Sequence, residues 1–169
     1  MTQPESTDEK AMLLASLNQQ RKHVLGITEG LSEEDLRRPV LPTGWNCLGM
    51  LRHLALDVER FWFQCVAAGD PVEIRTVLSS SESGWRMPAD MPSEEVFDLY
   101  RREVDRSDAM IAGTDLDAPP AWWPDWWPDW RMQNLRQILL HVITETACHA
   151  GHLDAVRELI DGRTWVVVN

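Results

Sequence analysis

Apolar residues recur three or four positions apart through four long stretches of this chain, and no stretch shows the strict alternation of a half-buried strand. Amphipathic helices are the reading that fits. The first runs from about Thr7, a candidate cap, to Glu29, with Met12, Leu13, Leu17, Val24 and Leu25 on its apolar side and Gly30 stopping it. Asp8 and Glu9 suit its positive end. The second spans about Asn46–Ala68 and carries a wide stripe of Leu48, Leu51, Leu54, Ala55, Val58, Phe61, Trp62 and Cys65, ended by Gly69. The third runs from Ser93, read as its cap, to Ala112, and the fourth from Asn134 to Asp161, where Asn134 and Gln137 form a capping-box pair and Gly162 is the stop. Between the first two, Ser32-Glu-Glu-Asp35 reads as a separate short capped turn. The polar stretch Gly69–Pro92 reads as a long loop, and Trp165–Val168 as a short strand or a packed end. Four helices with two long connections predict an all-α four-helix bundle in one domain, residues 1–169, with a topology other than simple up-down-up-down.

Composition narrows the function. At 169 residues the chain can bury a real core, and 44% hydrophobic content excludes disorder as its main state. No run approaches a membrane span, and the acidic, polar Met1–Lys10 does not read as a signal peptide. A net charge of −11 without a basic run argues against nucleic acid as a partner. Cys47, Cys65 and Cys148 are odd in number and widely spaced, which excludes a disulfide scaffold and fits a reduced cytoplasm. Cys47 and Cys148 are expected to be buried bystanders.

The fourth helix carries the chemistry. Ile138, Val142, Glu145, His149, His152, Val156 and Leu159 follow one seam, apolar at both ends and polar in the middle. If that seam faces the core, a carboxylate and two imidazoles are buried together and must be paired, hydrogen-bonded or metal-bound. The i, i+4 spacing lets Glu145 and His149 converge on one ion, or simply pair with each other, and His141 with Glu145 is a competing pair at the same spacing. His152 could add a ligand or support one. On the second helix, His53 shares its helical face with Asn46, Asp57, Arg60 and Gln64, so periodicity alone places it at the edge of the core or outside. Five of nine tryptophans, Trp122, Trp123, Trp126, Trp127 and Trp130, fall in a Trp-Trp-Pro-Asp repeat just before the fourth helix. They read as packing or a homodimer surface, with a wall for an apolar substrate as the other use.

The run Trp45-Asn-Cys-Leu-Gly-Met-Leu-Arg-His53-Leu with Val58-Glu-Arg-Phe-Trp62, and the run Glu145-Thr-Ala-Cys-His149-Ala-Gly-His152-Leu-Asp154, resemble the second and fourth helices of DinB-like proteins. Leu31-Ser-Glu-Glu-Asp-Leu36 and Ile160-Asp-Gly162 fit the same pattern, and the likeness, strongest to an actinobacterial subgroup, runs from about Met12 to Gly162. The resemblance implies a four-helix bundle holding one divalent metal. Many members have a histidine where Glu145 stands. The mycothiol-dependent maleylpyruvate isomerases are similar in having glutamate there, which makes His53, Glu145 and His149 the implied ligands and sets aside the periodicity argument against His53. His152 then remains a neighbour, and Asp57 is either a partner that orients His53 or a solvated acid. Zinc or nickel suits such a set, with manganese and iron also accommodated. The implied activity is a transferase or isomerase in which the metal readies a low-molecular-weight thiol such as mycothiol for attack on a small electrophile. No counterpart of the isomerases' extra C-terminal domain is evident, so their particular reaction is not expected. A non-catalytic metal-binding stress-response bundle acting through protein partners, and a purely structural Glu145–His149 pair, stay open at this level.

Overall fold

All four periodic stretches are helical in the computed structural model, which describes residues 9–80, 84–88, 90–127 and 129–165. Helix α1 is Glu9–Thr28, α2 Glu33–Arg37, α3 Cys47–His53, α4 Pro71–Ser79, α5 Ser93–Gly113 and α6 Leu135–Asp161. Helix α3 runs without a break into a π-helical segment, Leu54–Ala67. No strand occurs among the described residues. The chain is an all-α bundle.

Several boundaries follow from local chemistry. Asn134 accepts a hydrogen bond from the Gln137 backbone N–H at the start of α6, and Gly162 ends that helix in the left-handed region at φ +81°. Ser32 caps α2 by accepting from the Asp35 N–H. Two expectations are corrected. Pro92, not Ser93, stands at the cap of α5 and makes no side-chain cap bond; Ser93 instead bonds to Glu33, which with Arg37 holds that carboxyl below its usual range. The stretch Gly69–Pro92 is also not all loop. Asp70 accepts from the N–H groups of Val72 and Glu73, and Pro71 opens the helix, so nine residues form α4. The proposed Thr7 cap and Val166–Val168 lie outside the described residues. Trp165 packs as an end, stacked on His23 with ring centroids 5.1 Å apart.

The bundle pairs α1 with α6 and α5 with the π segment. Leu17, Val24 and Ile27 of α1 meet Ile138, Leu139, Val142, Leu153 and Val156 of α6 in one core with Leu48, Leu51, Leu54, Phe63, Tyr100 and Ile111. Each such side chain contributes about 1.5–3 kcal/mol relative to exposure. Met12 and Leu159, expected on apolar stripes, stand exposed.

The α3–π rod is buried on nearly every side, including its polar one. Glu59 takes a two-pronged hydrogen bond from Arg21, with both N···O distances 2.7 Å. Arg60 and Arg106 both donate to Glu103, and Arg106 also reaches Glu73 at 2.7 Å. Within the polar stripe that suggested a solvent face, Arg60 is therefore paired with Glu103 of α5 and Glu73 of α4, and the adjacent Glu59 with Arg21 of α1. A π-helix also closes its hydrogen bonds five residues back, so a 3.6-residue period misplaces side chains along it.

Candidate metal centre

His53 is the last residue of α3, and Glu145 and His149 lie one turn apart in the middle of α6. One ligand atom from each falls within 4.8 Å of the others. Glu145 Oε1 is 3.4 Å from His149 Nε2 and 4.0 Å from His53 Nε2. The i, i+4 spacing supplies two of the three donors, and the approach of α6 to the end of α3 supplies the third. The histidines are buried, while Glu145 is about one-third exposed, so the group opens to solvent at the carboxylate.

The orientation of His53 is set from outside the group. Its Nδ1 lies 2.9 Å from Asp57 Oδ2, and a carboxylate can only accept, so Nδ1 carries the proton. The Nε2 lone pair then faces Glu145 and His149. That nitrogen is fully buried and has no hydrogen-bond partner. A buried acceptor left unpaired costs about 1–3 kcal/mol, and a cation is what the surrounding donor set would offer it. Asp57 therefore contacts the His53 ring while its carboxylate stays 41% exposed. It also accepts from the Gly84 backbone N–H at 3.1 Å, and Arg52 donates to the carbonyls of Gly84 and Arg86. The anchored segment lays Trp85 flat on the His53 ring, with centroids 4.1 Å apart and planes 18° apart, and turns its edge to His149. Burial, followed by the proximity of His53, depresses the His149 pKa and keeps its ring neutral, the form that binds a metal.

The remaining candidates separate. His152 is exposed and lies beside the group, its Nδ1 3.3 Å from Nδ1 of His149. Nε2 of His141 is 4.0 Å from the other Glu145 oxygen, outside the three-residue group, and burial lowers its pKa. Cys47 is buried as expected, but Cys148 is exposed. Phe61 and Trp62 receive the tryptophan segment: Trp127 stacks on Trp62 at 5.6 Å, and Trp122 and Trp127 meet Phe61 edge-on. Packing is therefore one role of the segment. Sequence reasoning missed Gly84, Trp85 and Arg52. An aromatic residue beside glycine in a polar stretch was the only available sign of them.

A recess of about 840 Å³ is bordered by residues including Leu25, Gly26, Phe97, Val104 and Trp165, and no member of the three-residue group lines it. No helix of the described residues is long and apolar enough to cross a membrane. No curated protein matches the chain. The sequence profile described as mycothiol-S-transferase matches residues 12–162. That match begins within α1 and ends at the glycine that stops α6, taking in every element that shapes the centre, and the chain belongs to the mycothiol-S-transferase family within the DinB-like superfamily.

Proposed function

We propose that this chain, acting as a single domain, is a metal-dependent thiol S-transferase. In this reading His53, Glu145 and His149 hold one divalent cation, zinc or nickel, and mycothiol is the thiol that attacks a small electrophile. The observation that carries the reading is the buried, unpartnered Nε2 of His53, facing Glu145 Oε1 across 4.0 Å. Two neutral imidazoles and one carboxylate are a donor set of the catalytic kind, with a coordination position left over. A divalent cation there supplies positive charge that favours thiolate over thiol near neutral pH.

The other tasks belong to the chain. Asp57 keeps the His53 proton on Nδ1. Trp85 covers one face of that ring and excludes water from it. Glu145 brings the negative charge and, being part-exposed, marks the side from which thiol and electrophile enter.

Elemental mass spectrometry on protein purified without a histidine tag tests the reading. We expect close to one equivalent of zinc or nickel, absent from His53→Ala and Glu145→Ala variants that still fold, and loss of mycothiol-dependent turnover in the same variants. No uptake after incubation with zinc refutes it and leaves Glu145–His149 as a structural hydrogen-bonded pair.

A further inference from the structure

We propose that the electrophile accepted at this site is planar and conjugated, of the quinone or fused-ring enone class, and that Trp130 selects it. The inference rests on the thiol-transfer reading and adds the substrate class to it.

Both flanks of the candidate centre are aromatic. On the His53 side Trp85 is already used, stacked on the imidazole. On the Glu145 side stands His141, packed edge-on against Trp62 at 4.6 Å between centroids. Trp130 meets both of these rings at 6.1 Å and is 47% exposed. A half-open indole therefore stands one side chain away from the accessible carboxylate of the group.

The indole is also held in place. Ala121 and Trp122 donate backbone hydrogen bonds to the carbonyls of Ala67 and Val66, and Leu135 and Arg136 donate to those of Ala118 and Leu116. Trp123 and Trp127 also meet Trp130 edge-on, with centroids 5.4 and 5.6 Å away. A fixed aromatic face exposed beside a polar centre is a preformed stacking surface, and its natural occupant is another flat π-system. Trp126 is the internal control. It is 50% exposed on the same segment, but its ring partners are Trp122 and Trp127, not His141.

Flatness combined with reactivity toward sulfur defines the substrate class. With a naphthoquinone, the thiolate sulfur bonds to the ring carbon adjacent to the carbonyl-bearing carbon and conjugated to the far carbonyl. The displaced π pair moves to that oxygen, water returns a proton, and tautomerisation gives the thioether hydroquinone. Thiol and quinone combine with no atom lost and no further oxidant or reductant.

The test separates binding from turnover by using 2-naphthol, which is flat and unreactive toward thiols. The indole N–H signals of nitrogen-15-labelled protein are followed during titration, with and without zinc, and the Trp130 signal is identified by its loss in Trp130→Ala. We expect saturable shifts at the Trp130 and Trp62 signals. The dissociation constant should rise about tenfold in Trp130→Ala, the size of a good aromatic pair, and change less than twofold in Trp126→Ala. Trp130→Phe, which keeps a flat face, should stay within about threefold of the parent. In turnover, Trp130→Ala should raise KM for 1,4-naphthoquinone with little change in kcat and leave chloroacetamide unaffected. Shifts that bypass Trp130, or undiminished binding to a folded Trp130→Ala variant, overturn the proposal. If Trp130→Ala does not fold, shift mapping on the parent and on Trp130→Phe decides it. Retained naphthol binding without turnover of any electrophile refutes the thiol-transfer reading and leaves the aromatic subsite standing.

Discussion

Replacing Gly84 by alanine should weaken metal binding without unfolding the bundle. A Cβ built at this position falls 2.4 Å from Asp57 Oδ2, 2.8 Å from its Cγ and 3.0 Å from the His53 Cα. The last of these is helix backbone and cannot retreat, so the loop must lift by roughly 1 Å to reach ordinary contact distance. Lifting stretches the Gly84 N–H bond to Asp57 and carries Trp85 off the His53 ring. Asp57 then loses the donor that fixes it, and His53 loses its fixed tautomer and tilt. Disturbing an outer partner of a metal ligand typically costs 10- to 100-fold in affinity, about 1.4–2.7 kcal/mol. The cost to the metal-free fold is an overpacking term of about 1–3 kcal/mol at most, since the loop is not part of the core. The assay is a zinc titration against a competing chromophoric chelator, run beside thermal unfolding of the metal-free protein. A variant whose zinc affinity stays within twofold of the parent, whatever its Tm, refutes the argument that this loop orients His53.

Three further outcomes are expected. Gly151 in α6 has open space where a Cβ would go, so Gly151→Ala should raise stability by about 0.5–1 kcal/mol and lift Tm by a few degrees in calorimetry. Glu59→Ala removes the fully buried partner of Arg21 and leaves only the part-exposed Asp108 to compensate its charge, which should cost about 3 kcal/mol in urea unfolding, while the paired change Arg21→Met with Glu59→Leu should recover most of the loss. Burial pushes the Cys47 thiol up to about 11 and the Cys65 thiol up to about 12, so both are protonated near neutrality and become thiolates only as pH rises toward those values. Iodoacetamide should therefore label only the exposed Cys148 in native protein at pH 8 and all three cysteines after denaturation, as counted by mass spectrometry.

Much of the bundle was legible because its signals are local. The caps at Ser32 and Asn134 and the left-handed glycines 30 and 162 act within a few residues of themselves, and the four long helices appear where periodicity places them. The spacing of Glu145 and His149 is likewise a property of one helix. Helix α4 escaped because nine residues within a polar stretch carry too short a period to stand out, although Asp70-Pro71 is a good start signal.

What one helix could not reveal was where its polar side goes. The face holding His53, Asp57, Arg60 and Gln64 has the composition of a solvated surface. Tertiary packing covers most of it, because Glu73 and Glu103 from two other helices pair Arg60, Arg21 from a third pairs the adjacent Glu59, and a distant loop brings Gly84 and Trp85 over His53 and Asp57. Periodicity measures polarity, and a polar group satisfied by another part of the chain looks the same in one dimension as one satisfied by water. Residue types and spacings along the chain determined the helices and the Glu145–His149 pair. Only the assembled bundle shows His53, the ligand that the resemblance implied against its periodicity, brought beside Glu145 and His149, and Trp130 standing half-exposed against His141, since both depend on contacts between separate helices and loops.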